Sequence, residues 1–177
     1  MRHTILCLTL APAHLLRVRC AGVQDSVRCR LRMGIDVTAT VVIARPRQEV
    51  AAFVLDPGND LAWIRALTSS RKLTEGDVGV GTRVERVAKM MGRSMPYTTN
   101  IEALESGKHV AMRTVEGPFL MLVDYRFDDV GRGSTRVSVR NRGGEGMIFR
   151  LFGWAIGRMV NGRVKGDLKQ LKQVLES

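Results

Sequence analysis

Three polar side chains in this sequence fall where a strand pattern would turn them toward an apolar face, which makes them the residues best placed for chemistry. Arg86 shares the period-two face of Val84, Glu116 shares the face of Thr114, and Tyr125 carries a hydroxyl on an otherwise apolar face. A buried polar side chain needs a partner, and a carbonyl or phenol group on a ligand would suit all three. The plainer alternative is that Arg86 and Glu116 form a solvated ion pair near the strand ends.

The elements that must position these residues begin with a strand and a helix. Apolar and polar residues alternate over residues 35–43, which predicts a strand with one buried face. Pro46 suits the first turn of a helix, because that position needs no N–H donor. Pro57 ends this helix near Asp56, since a residue before proline avoids the helical conformation.

Alternation continues along the chain and predicts further strands over residues 82–90, 99–103, 110–114, 119–127 and 135–139. Their short connections favour antiparallel neighbours. A second short helix is expected to close at Trp63 and Ile64. From residue 147 to 175 the apolar residues recur at the spacing of one long amphipathic helix.

Four glycines interrupt this long helix, at Gly153, Gly157, Gly162 and Gly166. Each costs about 1 kcal/mol of helix stability relative to alanine. Close approach of the helix to the sheet, a bend, or room for a ligand would compensate for that cost.

Seven residues carry a family pattern of strand, Ala-x-Pro, helix, Asp-Pro turn and tryptophan: Ala44, Pro46, Val50, Phe53, Asp56, Pro57 and Trp63. Over about residues 35–176 the sequence resembles the START-like (SRPBCC) superfamily, and most closely its polyketide cyclase/dehydrase and lipid-transport branch. The resemblance implies an α+β helix-grip fold. In that fold a curved antiparallel sheet wraps around a long C-terminal helix and leaves an internal cavity.

The inferred inner faces and the expected cavity together predict which side chains bind a ligand. Methionine adapts to ligands of different shape, and Met112 and Met121 are the strongest methionine candidates because both lie mid-strand on inferred inner faces. The full predicted ligand-binding set is Phe53, Trp63, Tyr97, Met112, Phe119, Met121, Tyr125, Phe152 and Met159.

Three classes of function remain open. The leading hypothesis is binding, and in one form transport, of a hydrophobic small molecule such as a lipid or a polyketide. The first alternative is a polyketide aromatase/cyclase and dehydratase, which would need an acid or base within hydrogen-bond reach of the reacting atoms; Tyr125, Arg86 and Glu116 are weak candidates for that role. The second alternative is a protein-interaction module that acts through its exposed surface.

Length and composition limit the kinds of protein, metal site and cofactor that fit this sequence. With 177 residues, 45% of them hydrophobic, the chain is long enough for one domain with a core, and no apolar run reaches the ~18 residues of a membrane span. All three cysteines precede Met33, so a Cys-ligated zinc site is not expected in the domain. The glycine-rich run 143–146 lacks the order of a nucleotide-binding motif. We therefore predict a cytoplasmic protein with no metal and no cofactor.

Residues 1–32 differ in composition from the rest, which we assign as the START-like domain at residues 33–177. They contain six arginines and one acidic residue. Three interpretations are open: a wrongly assigned start with Met33 as the true initiator, a disordered basic tail, or a targeting peptide. Pro12 and His14 interrupt the apolar stretch that a secretory signal would need.

The formal net charge of +11 raises the question of anionic partners. Nucleic acid is not predicted, because basic residues alternate with apolar ones and do not cluster with exposed stacking residues. The start of the long helix, with Phe149, Phe152 and Trp154 among basic residues, would suit transient contact with an anionic membrane surface. A monomer and a homodimer are equally compatible with the sequence.

Overall fold

The computed structural model describes residues 34–90, 92–144 and 147–177, without the side chains of residues 90 and 147–152. The predictions for residues 1–32 therefore lie outside the described residues. The strands are β1 Ile35–Ile43, β2 Leu67–Lys72, β3 Arg83–Met90, β4 Arg93–Glu105, β5 His109–Glu116, β6 Met121–Asp129 and β7 Thr135–Gly143. The helices are α1 Arg47–Leu55, α2 Asp60–Trp63 and α3 Met147–Glu176, with a 3-10 turn at Pro57–Asn59.

The seven strands form one antiparallel sheet in the order β1-β7-β6-β5-β4-β3-β2. Strands β2 to β7 follow one another as a meander, and β1 pairs with β7 at the far edge. The segment that holds α1 and α2 connects the two edge strands. Together with α3 this arrangement confirms the predicted α+β class and the antiparallel pairing.

The predicted strand and helix at the start of the domain are both present. Ile35, Ala39 and Ile43 of β1 are buried while their neighbours are more exposed, as period-two alternation requires. Pro46 stands immediately before α1, and the helix ends at Leu55 with Asp56 as its C-cap. The Asp56 carboxylate accepts the backbone N–H of Gly58 at 2.8 Å, which fixes the turn after the helix.

The two halves of α3 pack differently. Its C-terminal half buries Leu168, Leu171 and Leu175 in the main core. Near its start, a Cβ at Gly153 would lie 2.8 Å from the carbonyl oxygen of Gly34, so glycine lets the helix approach the backbone before β1. Close approach to this backbone therefore compensates for the helix stability that Gly153 costs. At Gly162 a Cβ would meet open space, so close approach does not explain that glycine.

The structure differs from the sequence analysis in two places. Strand β2 was not expected, because this edge strand buries only Leu67 and so lacks an apolar face. Phe119 was expected on the inner face of a strand, but it precedes β6 and is 40% exposed. Gly117, with a φ of 134°, and Pro118 interrupt the pairing between β5 and β6, and this explains the later start of β6.

Candidate ligand cavity

A cavity of about 280 Å³ lies between the inner face of the sheet, α2 and α3. Its volume is just below the range of typical small-molecule pockets, roughly 300–1,000 Å³. Most of its wall is apolar, and strands β3 to β7 all contribute to it. The apolar lining comprises Val54, Trp63, Ile64, Ala88, Met95, Met112, Pro118, Phe119, Met121, Val123, Val139, Met159, Val160, Val164 and Leu168.

Seven of the nine predicted ligand-binding residues line this cavity: Trp63, Tyr97, Met112, Phe119, Met121, Tyr125 and Met159. Phe53 is instead partly buried against the main core. The side chain of Phe152 lies outside the described residues. Location in the wall makes contact with a ligand feasible, and the contact itself stays a prediction.

Arg86 is buried in the cavity wall and bound on two sides. Its Nε donates to Asp60 Oδ2 at 2.7 Å, and its Nη1 donates to Thr99 Oγ1 at 2.6 Å. The Ser70 hydroxyl donates to the same Asp60 oxygen at 2.6 Å. The interpretation of Arg86 and Glu116 as a solvated pair is therefore wrong, because the arginine pairs with Asp60 inside the protein.

Glu116 stands apart from the other two polar candidates. It is exposed at the end of β5 and accepts a hydrogen bond from the Thr98 hydroxyl at 2.9 Å. It is absent from the cavity wall, to which Arg86 and Tyr125 both belong. The three candidates thus do not converge on one point.

Two tyrosines bring hydroxyl groups into the cavity wall. Tyr125 on β6 meets Trp63 edge to face, with ring centroids 6.4 Å apart and an interplanar angle of 80°. Burial raises the pKa of the Tyr125 phenol, against the opposing effect of the Arg86 charge. Burial also raises the pKa of Tyr97. Both phenols therefore stay protonated at neutral pH and act as hydrogen-bond donors, not as bases.

Asn141 is a polar wall residue that the sequence analysis missed. It continues the inward alternation of Val137 and Val139 along β7, a signal that was readable from the sequence. The residue is 7% exposed, and no side-chain hydrogen bond joins it to any described residue. An amide there offers both a donor and an acceptor to whatever occupies the cavity.

The long helix contributes a carboxylate that was also missed. Asp167 lies in the cavity wall, and its Oδ1 accepts the backbone N–H of Arg65 at 3.1 Å. Burial raises the pKa of Asp167, and the Arg65 hydrogen bond and the charges of Arg65 and Arg163 oppose that rise. The sequence did offer one signal for Asp167, because it directly precedes Leu168, one of the apolar residues that recur at helical spacing.

Metal binding and membrane crossing have no support in the part of the chain that the structure describes. There, no group of three or more histidine, cysteine, aspartate or glutamate side chains is arranged to hold a metal ion. Nor is any helix among the described residues long and apolar enough to cross a membrane.

A comparison with known protein families identifies the family of this chain. The family model described as polyketide cyclase/dehydrase and lipid transport matches residues 34–176. The chain belongs to this family. The match extends from the residue before β1 to the end of α3, so it spans the whole sheet and the long helix, and it confirms the resemblance seen in the sequence.

Solved structures with the same fold include three from bacteria. A START superfamily protein from Mycobacterium smegmatis has a TM-score of 0.70 and 15% identity, covering 80% of this chain and 97% of its own. An aromatase/cyclase from a Streptomyces species has a TM-score of 0.68 and 17% identity, covering 80% and 93%. A protein from Thermus thermophilus has a TM-score of 0.68 and 20% identity, covering 78% and 94%. No match was found among curated proteins. At these identities the similarity establishes the fold alone.

Proposed function

We propose that the protein binds an apolar small molecule, such as a lipid or a polyketide, in the cavity between the sheet and α3, and that it does not transform this molecule. The cavity itself carries the proposal. It has a mostly apolar wall, and its buried guanidinium group already has protein partners. The family description, which names lipid transport beside polyketide cyclase/dehydrase, agrees with the binding of such a molecule.

The three residues nominated for catalysis are not set up for acid–base chemistry. Acid–base catalysis needs a group of suitable pKa within hydrogen-bond reach of the substrate. The charge of Arg86 is balanced by Asp60, the raised pKa of Tyr125 keeps its phenol neutral, and Glu116 lies outside the cavity. None of the three nominated residues is thus prepared to take up a proton.

The second candidate function is a polyketide cyclase and dehydratase. It is favoured by the family description and by the polar groups of Tyr97, Tyr125 and Asn141 in one cavity wall, which would hold the carbonyl oxygens of a poly-β-ketone chain. Incubation with a poly-β-ketone thioester, followed by mass spectrometry, tests it. Loss of water that depends on the protein and disappears in Tyr125→Phe would favour catalysis.

Access to a lipid would require contact with a membrane, and α3 offers a surface for it. Trp154 is 79% exposed, and the guanidinium of Arg158 lies 5.7 Å from its ring centroid. The helix sequence carries six basic residues and two acidic ones. We propose that the exposed side chains of Trp154, Arg158, Lys165 and Lys169 touch anionic membranes when ligand is taken up.

Identification of the bound molecule tests the proposed function most directly. The full chain is purified from its source cell, native mass spectrometry measures any mass added to the protein, and extraction identifies the compound. A stoichiometric lipid or polyketide is the expected result. A protein that is empty, and that also fails to bind apolar dyes, would contradict the proposal and favour the interaction-module alternative.

A further inference from the structure

The cavity wall contains one carboxylate whose charge is not balanced by a salt bridge. Asp60 is paired with Arg86, whereas Asp167 accepts only the backbone N–H of Arg65 among the described residues. That bond engages Oδ1 and leaves Oδ2 without a hydrogen-bond partner in the described part of the chain. Asp167 is half-buried, so water reaches this carboxylate while the cavity is empty, and a ligand that displaces the water must supply a donor in its place.

The groups around Asp167 come from several elements. Arg163 lies one turn earlier on α3, and Arg65 lies in the segment after α2; both cations oppose the rise in the pKa of the carboxyl that burial causes. From the sheet, the charge of Asp167 affects the phenols of Tyr97 on β4 and Tyr125 on β6, which also sense the Arg86–Asp60 pair. Each phenol can donate one hydrogen bond, so a ligand oxygen could accept from a tyrosine while its own hydrogen points to Asp167.

We infer that Asp167 selects an apolar ligand that carries a hydroxyl group, which donates its hydrogen to the carboxylate while the rest of the molecule fills the apolar wall. This inference rests on the proposed function, because it concerns the same cavity. A phenol or alcohol satisfies the free oxygen of Asp167, and its own oxygen accepts from a neighbouring tyrosine. An ether or a pure hydrocarbon of equal size leaves the carboxylate without a donor.

A matched pair of probes tests this inference, namely naphthol and its methyl ether, which differ in the hydroxyl hydrogen and a methyl group. Dissociation constants of both probes are measured by fluorescence with the full chain, with Asp167→Asn and with Asp128→Asn. The asparagine side chain keeps the oxygen that accepts from Arg65, so the fold is expected to persist. Asp128 is an exposed residue of β6 outside the cavity wall, and its variant controls for the change from carboxylate to amide.

We expect the native chain and Asp128→Asn to prefer naphthol by about tenfold or more, as suits a hydrogen bond to a charged group. Asp167→Asn should lose most of that preference while it still binds the ether. Equal affinity of the native chain for both probes, or a preference that survives in Asp167→Asn, would overturn the inference and leave the proposed function intact. If neither probe binds the native chain, the inference fails, and the proposed function is then decided by the compound that co-purifies with the protein.

The pH dependence of the native chain gives a second, independent readout that needs no variant. The preference for naphthol should be full above the pKa of Asp167, which burial raises, and should fall as pH drops through that value. A protonated carboxyl can donate to either probe oxygen, so the two affinities converge at low pH. A preference that is constant across the acid range would contradict the role of Asp167.

Discussion

At the scale of single residues, the Arg86–Asp60 pair explains a buried charge on an otherwise apolar face. The arginine is 6% exposed and the aspartate 1% exposed. Such pairs contribute little net stability, but removal of one partner leaves an uncompensated buried charge. The pair therefore matters chiefly because it holds α2 against β3, and Trp63 of α2 is part of the cavity wall.

Substitution of Arg86 by methionine tests this interpretation. We expect Arg86→Met to lower the free energy of unfolding by about 3–5 kcal/mol, because Asp60 stays buried without its cation. The double variant Arg86→Met/Asp60→Asn should recover part of that loss, as a double-mutant cycle in urea unfolding would show. A single-variant loss below about 1 kcal/mol would mean that Asp60 finds solvent or another donor.

Met121 provides the residue-scale test of the cavity itself. Met121→Trp places a large ring in the wall, so affinity for an apolar probe should fall by at least about tenfold while the circular dichroism spectrum is unchanged. Leu120→Trp is the matched control, because the neighbouring Leu120 is 57% exposed and outside the wall. Normal binding by Met121→Trp would place the ligand elsewhere.

At the scale of elements, the sequence predicted those parts whose residues show a strong local period. Strand β1 and the long helix α3 were identified in this way, and helix α1 was identified from the prolines near its two ends. Strand β2 was missed because its stability comes from pairing with β3 and not from an apolar face of its own. Asp60 was missed as the partner of Arg86, because 26 residues separate them and only the tertiary fold brings them together.

Helix α3 also carries the prediction about membranes. We expect the protein to sediment with vesicles that contain phosphatidylserine and not with neutral vesicles, because each basic residue near an anionic surface contributes about 1 kcal/mol. Trp154→Ala and the double variant Lys165→Glu/Lys169→Glu should each weaken binding. The double variant Arg126→Glu/Arg136→Glu, which makes the same change of net charge at exposed arginines of β6 and β7, is the control. An equal effect of the control would show that total charge, and not the face of α3, determines binding.

At the scale of the whole molecule, the inner face of the sheet and α3 leave a mostly apolar cavity between them. The C-terminal half of α3 supplies three leucines to the core, and one of them, Leu168, also borders the cavity together with Met159 and Val160. Unfilled apolar volume lowers the stability of a protein relative to a packed core. A ligand in the cavity replaces the missing contacts, so folding and binding should be coupled.

This coupling predicts a thermal shift that depends on the cavity. A ligand at one hundred times its Kd should raise the free energy of unfolding by about 2.7 kcal/mol, and the melting temperature of the native chain by several degrees. Met121→Trp should show little shift at the same ligand concentration, since its ring occupies the space. Differential scanning calorimetry measures both. Equal shifts in the two proteins would mean that the ligand stabilises another site, because mass action requires stabilisation to follow occupancy of the site that binds.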